Sequence, residues 1–406
     1  MANATTTTLN PLLKPIFTTV QEQFYPTSPL IALLKKNEQF QGEHIRVPIR
    51  YAPQHGSHTF SYAKANKYPS GQIRFEVTRA KDYAIGGIEI EALRAATDKG
   101  AVAEGLAVET EALAYASWRA LAHGIYRNGG GARAQVASGM ASNTITLANT
   151  DDIVFFEKGM MLDGSAADGT SGAATVGGTN ARIVAIDRSA GTLTNSGANW
   201  NAATGINGLL ANWYLFRQGD FSKSLKGLLA WLPLTAPTGG DSFFNVDRSV
   251  DTVRLAGNRV AAKASIESTL LEGMRVTFRE GGMCSHVFVN PLRFAELVES
   301  LGSKVQYQNV QSPDVPKIGF KAVTIVGQNG EAKVVSDPNC PTGYAFGLKL
   351  DEWELASLGP LVAVQDDDGN KMLRDSDDDS VELRIGSYRN LICKKPGYNF
   401  VATLPV

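Results

Sequence analysis

Few residues in this chain stand at a spacing that chemistry would use. Ser61-Tyr62-Ala63-Lys64 has the Ser-x-x-Lys order of a serine nucleophile beside a lysine base, but it falls in a predicted strand. The companion motifs of penicillin-binding enzymes are missing, so chance explains the match. His55 and His58 lie in a loop with no Cys or Asp nearby to complete a zinc set. Asp366-Asp367-Asp368-Gly369-Asn370 offers the oxygen ligands that calcium takes, yet its glycine follows at once and the spacing departs from an EF-hand loop. A solvated hairpin turn is the simpler reading of that run. Gly169, Gly172, Gly177 and Gly178 have neither the spacing of a dinucleotide loop nor a helix after them, and read as a flexible loop. No phosphate-cradling GxxxxGK[ST], no HExxH and no GxSxG occurs. Cys284, Cys340 and Cys393 form no CxxC pair, which fits buried thiols in a reducing cytosol better than a disulfide framework or a zinc site. The sequence thus nominates no catalytic, cofactor-binding or metal-binding residue, and an enzyme is not expected.

What remains to be positioned is a pattern of charge. The chain has 406 residues, 43% hydrophobic and 19% charged, with 39 Lys plus Arg against 40 Asp plus Glu. That is the composition of a folded protein of about two or three domains. A net charge of -1 leaves no global footprint for nucleic acid, so any contact with a polyanion must come from a local patch. The N-terminus has no basic region followed by an apolar one, and no apolar run approaches the ~20 residues of a membrane span. A soluble cytosolic product with no membrane partner is expected.

Residues 1–44 read as an arm with one short helix around Leu30, Ile31, Leu33 and Leu34. Strict alternation then begins: Ile45, Val47, Ile49 and Tyr51 against Arg46, Pro48 and Arg50, and after Pro69-Ser70-Gly71 again Ile73, Phe75 and Val77 against Arg74, Glu76 and Thr78. The two runs predict a long hairpin over 45–82. Its polar positions are mostly basic: Arg46, Arg50, Lys64, Lys67, Arg74, Arg79 and Lys81, against Glu76 and Asp82. A lone ribbon is marginal in water, so it either folds back on its own domain or is covered by another molecule with an acidic surface.

Apolar positions near a 3.6 period predict a one-sided helix over 98–127, stopped by Asn128-Gly129-Gly130-Gly131. Residues 138–220 are poor in charge and rich in short strand-like runs, among them 144–147, 153–156, 181–186, 192–194 and 213–216, which predict an inserted small β-barrel or sandwich. A helix broken near Ala264 is expected over 247–279. Val287-Phe288-Val289 reads as a strand, and Asn290-Pro291 as the cap and first position of a helix whose stripe is Phe294, Leu297, Val298 and Leu301. Strands are expected at 323–326, 333–335, 344–348, 381–385 and around Phe400. Helices and strands mixed without βαβ alternation argue for an α+β fold. The dense acidic tract, Asp366 to Asp368 with Asp375 to Asp379, lies between late strands.

This order of elements resembles the major capsid protein of tailed bacteriophages, with the HK97-type fold. The resemblance rests on the arm, the basic hairpin, the long helix, the strand leading into Asn290-Pro291-Leu292-Arg293-Phe294, the segment Val334-Val335-Ser336-Asp337-Pro338 followed by Gly343-Tyr344-Ala345-Phe346-Gly347, and the closing stretch from Val381 to Val401. It implies an arm at 1–44, an extended loop at 45–82 reaching over a neighbouring subunit, and a peripheral domain at 83–137 and 380–406 with spine helix 98–127. It also implies the insertion at 138–220, connecting helices at 221–286, and an axial domain with a late hairpin at 287–379. No long charged helical segment precedes the hairpin, so no cleaved internal scaffold domain is expected.

The function so implied is a coat protein that assembles as pentamers and hexamers into an icosahedral head around double-stranded DNA. Its virion would be built in the host cytoplasm, with a portal and decoration or scaffolding proteins as partners and no cofactor. Contacts between subunits are expected from Arg46, Arg50, Lys64, Lys67, Arg74, Arg79 and Lys81 on one copy and Asp366, Asp367, Asp368, Asp377, Asp378 and Asp379 on the next. The competing readings are an encapsulin-type compartment and, from another class, a carbohydrate-binding or enzymatic protein that uses the inserted domain.

Overall fold

The computed structural model describes residues 28–54, 57–67, 69–90, 99–197, 199–301, 307–311, 319–328, 330–364, 372–374 and 379–405. Two compact units emerge: Ala80–Ala230 with Val364–Gly386, and residues 28–79 with Trp231–Ala363 and 387–405. The second unit holds the earliest described residues. Helix α1 (Pro29–Leu33) has proline at its start and buries Leu30, Ile31 and Ala32. Strand β1 (Lys35–Asn37) pairs in parallel with residues 354–356, and the buried Asp337 carboxylate accepts from Ser28 Oγ at 3.2 Å and Leu30 N at 3.4 Å. Residues 28–40 are therefore built into the unit rather than standing off as an arm, because Leu30, Ile31, Leu34 and Phe40 supply enough apolar surface to be buried.

The hairpin forms as the alternation requires. Strands β2 (His44–Ala52) and β3 (Gly71–Thr78) pair antiparallel with Val47 opposite Phe75 and Ile49 opposite Ile73. The connection contains a helix, α2 (Phe60–Ala65), so Ser61 and Lys64 lie on a short helix and not on the expected strand. Two alanines favour it locally, and Asn66 closes its C-terminus by donating N and Nδ2 to the Tyr62 carbonyl at 2.9 and 3.1 Å.

The first unit begins with β4 (Ala80–Glu89) and contains the long helix α3 (Lys99–Gly124). Ala114, Trp118, Leu121 and Ile125 are buried at the helical period while Glu111 and Tyr115 are exposed. The one-sided pattern ends at Leu121, after which every residue to Tyr126 is buried. Gly129 and Gly131 then adopt φ of 88°, and Asn128 Oδ1 accepts from Gly130 N at 2.9 Å, which stops the helix as expected.

A six-stranded sheet follows, in the order β7-β10-β5-β6-β9-β8, from β5 (Ala134–Ser138), β6 (Thr144–Leu147), β7 (Leu162–Ser165), β8 (Ile183–Asp187), β9 (Thr192–Asn195) and β10 (Tyr214–Arg217). Val136, Ile145, Leu162, Leu193, Trp200 and Leu215 pack in its core. The run expected as a strand at 153–156 is instead a 3-10 turn, Thr150–Phe155, with Asn149 capping its start. A short apolar run has no period by which to tell the two apart. The glycines read as a flexible loop mark close backbone approaches. A Cβ on Gly169 would lie 2.1 Å from the Gly130 carbonyl oxygen, and one on Gly177 would lie 1.9 Å from that of Leu162. Buried Asp163 fixes the same region by accepting from Gly177 N at 2.9 Å and Gly219 N at 3.0 Å.

In the second unit the helix expected over 247–279 is confined to α4 (Ile266–Arg279), opened by a Ser265–Ser268 capping box. Asp247 caps a single 3-10 turn instead, accepting from Ser249 N, and residues 258–260 form β11 (Asn258–Val260). Glycine at 257 with φ of 75° and the strand partner at 400–402 override the helical spacing there. β12 (His286–Val289) runs into Asn290, whose Oδ1 accepts from Leu292 N at 3.0 Å, and helix α5 (Pro291–Leu301) follows as its sequence demands. β13 (Tyr307–Gln311), β14 (Gly319–Gly327), β15 (Gly330–Ser336) and β16 (Tyr344–Leu348) extend the sheet.

The remaining strands are β17 (Trp353–Ser357), β18 (Ala363–Val364), β19 (Met372–Arg374), β20 (Ser380–Cys393) and β21 (Phe400–Thr403). β21 inserts between edge strand β11 and β16 of a seven-stranded sheet, β11-β21-β16-β12-β15-β14-β13, with Phe400 fully buried. β20 serves each unit in turn: residues 381–383 pair with β19, and residues 389–393 pair with β17.

Candidate assembly interface

Alternation gives the hairpin two unlike faces. Val47, Ile49, Phe75 and Val77 are buried on one. The Phe75 ring lies 5.2 Å from that of Trp231, which in turn meets Phe243 at 5.0 Å and Trp353 at 6.5 Å and donates Nε1 to the Leu391 carbonyl at 2.9 Å. Glu76 N donates to the Phe244 carbonyl at 3.1 Å. Arg254 Nη1 donates to the Tyr51 carbonyl at 2.6 Å. The base of the hairpin is thus anchored in its own unit.

The polar face places Arg46, Arg74 and His44 around one carboxylate. Glu76 lies 3.3 Å from Arg74, 3.7 Å from Arg46 and 4.0 Å from His44, and accepts from Asn245 Nδ2 at 3.0 Å. The Asn245 hydrogen bond and these neighbouring cations hold its carboxyl below the usual range. Pro48, Gln72, Ile73, Arg74, Glu76 and Asn245 line an open groove of ≈ 620 Å³ there.

Beyond this cluster the hairpin is bare. Helix α2 buries no side chain, and Phe60 is 82% exposed. Arg50, Lys64 and Lys67 are exposed and pair with no carboxylate among the described residues; Lys81 on β4 is likewise exposed. Arg79 differs from the other expected contact residues. Its Nη1 donates to the Phe40 carbonyl at 3.1 Å and its guanidinium lies 5.4 Å from the Phe40 ring centre, so it fastens the base from within. On the acidic side, Asp379 is exposed, 3.3 Å from Arg374. Asp366, Asp367, Asp368, Asp377 and Asp378 lie outside the described residues, as does His55. His58 is 4.8 Å from Tyr62, ring to ring, and no cluster of three or more metal-ligating side chains occurs among the described residues.

The comparisons with known proteins bear on what such a surface is for. Residues 209–372 match the family model of the SU10 major capsid protein. Among solved structures, the chain is similar to the cyanophage A-1(L) capsid asymmetric unit at 14% identity and a TM-score of 0.52, over 92% of this chain and 92% of that one. The family match covers less than half of the chain, and the fold is shared with that capsid chain over nearly all of it. Chains from Gordonia phage Cozz and Mycobacterium phage Adephagia align at TM-scores of 0.44 and 0.43, with 12% and 10% identity. They cover 94% and 93% of this chain, and the alignments span 87% and 90% of theirs. No curated protein matches the sequence. The α+β architecture is of HK97 type. No helix among the described residues is long and apolar enough to cross a membrane.

Two features of the hairpin add to what its sequence suggested. One is the role of Glu76, which neutralises cations that sequence counted as free. Its signal was register: Glu76 stands directly opposite Arg46, and Arg74 is two residues away on the same face. The other is the exposed aromatic pair Phe60 and Tyr62, visible as two rings in an otherwise polar connection.

Proposed function

We propose that this coat protein assembles with copies of itself, as pentamers and hexamers, into an icosahedral head that encloses double-stranded DNA, and that the hairpin is the element that reaches a neighbouring copy. The observation that carries the reading is the split within the hairpin: a base locked by Phe75 against Trp231, and a far part, from Pro53 to Lys67, whose described residues are almost all exposed. Each exposed ion pair contributes only ~0–1 kcal/mol, but a closed assembly repeats it at every contact. The cations Arg46, Arg50, Lys64, Lys67, Arg74 and Lys81 would meet the acidic tract Asp366 to Asp368 and Asp377 to Asp379 of the next copy. Portal, scaffolding and decoration proteins complete the expected partner set, and contact with packaged DNA would be weak and salt-sensitive.

The test is a triple charge reversal, Lys64→Glu, Lys67→Glu and Arg74→Glu. Electron microscopy should find few closed shells from this variant, while circular dichroism of the unassembled protein stays that of the parent. Normal shell yield with normal dichroism would remove the hairpin from the interface.

A further inference from the structure

The hairpin's tip poses a problem that charge does not answer. Helix α2 has six residues, no side-chain cap at its N-terminus and no buried side chain. An isolated helix this short is far below the ~12–15 residues at which helices become even marginally stable in water. Phe60 is 82% exposed and Tyr62 50%, the largest solvent-facing aromatic surfaces among the hairpin's described residues. Something must cover them for the helix to persist.

We infer that Phe60 and Tyr62 are apolar anchors that dock on a second copy of this chain, while the surrounding lysines and arginines only select and orient the approach. The inference deepens the proposed function and rests on it. Three observations carry it. First, Tyr62 is pre-organised: His58 packs against its ring at 4.8 Å in an edge-to-face arrangement, and Asn66 holds its carbonyl with two hydrogen bonds. Rigid aromatic side chains lose little freedom on binding, which is why they dominate interface energetics.

Second, charge complementarity names the occupant. Residues 53–70, the tip, hold Lys64 and Lys67 and no acidic side chain, a charge of +2, so the rest of a chain whose total is -1 carries -3. A surface offered by another copy attracts this tip, whereas another tip repels it. Third, the anchors are positioned to be presented. The locked base at Phe75 and the Glu76 cluster set the direction of both strands, and neither anchor is used by the unit that holds that base.

The experiment uses the full-length protein in assembly buffer. The photo-crosslinking residue p-benzoylphenylalanine replaces Phe60, and the variant is assembled from equal parts of ordinary and nitrogen-15-labelled chains. Mass spectrometry of the irradiated particles should find mixed-isotope peptide pairs, the mark of a link between copies. Links confined to single-isotope pairs, or no links in well-formed particles, would overturn the inference and leave the proposed function standing. In parallel, Phe60→Ala with Tyr62→Ala should raise the critical concentration for assembly by about tenfold or more, as loss of an aromatic hot spot implies. That loss should be as large at high salt as at low. The Lys64→Glu, Lys67→Glu pair should instead lose its effect as salt rises. An unchanged critical concentration in the aromatic double variant counts against the anchors. Failure of the parent protein to form particles under any condition would count against the proposed function itself, and the inference would fall with it.

Discussion

The sheet of strands β5 to β10 and the β2–β3 hairpin spend their charges in opposite ways. Around the sheet, almost every arginine is answered nearby. Arg133, 8% exposed, donates to the Phe155 carbonyl at 2.8 Å and to Asp220 at 3.5 Å. Arg127 meets Asp152 at 3.3 Å, Arg217 meets Asp220 at 2.9 Å, Arg188 meets Glu157 at 3.0 Å, and Arg119 also binds Glu157. In the hairpin one carboxylate, Glu76, serves Arg46 and Arg74, while Arg50, Lys64 and Lys67 have none among the described residues. The sheet region is closed on itself and the hairpin is left open. On the proposed function, that difference separates residues that hold the monomer from residues kept for a neighbouring copy.

The comparison is most easily broken by core truncation. Trp200→Ala, at a fully buried site in the sheet domain, should cost about 3–5 kcal/mol in denaturant unfolding of the unassembled protein. If Phe60→Ala cost as much, the tip would be a structural element of the monomer and the contrast would collapse.

Acid offers the next largest effect. Burial, and then the Lys333 charge, lower the His286 pKa to about 4. An unfolded histidine titrates near ~6.5, so between those values the unfolded chain holds more protons than the folded one, and stability rises with pH. Stability should therefore fall as pH drops below about 6.5 and lose at most about 3 kcal/mol from this group by pH ~4. His286→Gln should flatten that slope in unfolding experiments across the same range. His123, fully desolvated and ringed by Arg127, Arg133, Arg119 and Arg217, is also held well below its ordinary value and acts with the same sign. Glu76 moves the other way in consequence. Its carboxyl, held below the usual range first by the Asn245 hydrogen bond, keeps the hairpin's cation cluster paired until pH falls below that range, so acid should weaken the histidine sites before it disturbs this pairing.

Asp163→Ala removes the acceptor of two backbone donors and should cost ~1–3 kcal/mol for each donor left buried. Lys64→Glu with Lys67→Glu marks the small end: less than ~0.5 kcal/mol in monomer stability, read by thermal unfolding, against a clear loss of assembly at low salt.

Legibility in the sequence followed the same divide between local and distant causes. The alternation of the two hairpin strands, the glycine stop after α3, the strand runs at 181–186 and 192–194 and the Asn290-Pro291 helix start are each set by a few adjacent residues, and each formed as read. The failures had distant causes. Asp247 to Val260 carries helical spacing, yet the pairing of Asn258 to Val260 with Phe400 to Ala402 claims part of it as strand. The glycines at 169 and 177 are required by backbone carbonyls dozens or tens of residues away along the chain, which no local window contains. At the interface, the basic face was readable because charge is local. The support of Phe75 by Trp231 was not, since 156 residues separate them.

Strands β20 and β21 have a consequence for how the protein is made. β21 lies between β11 and β16 in its sheet, and residues 389–393 complete the pairing of β17. The second unit therefore waits for residues 387–405 before its central sheet can close, although its first residues left the ribosome some 350 positions earlier. That dependence gives the unit a high contact order, which slows such closures. Until those residues pair, the platform of Trp231 and Trp353 that holds the base of the hairpin is incomplete.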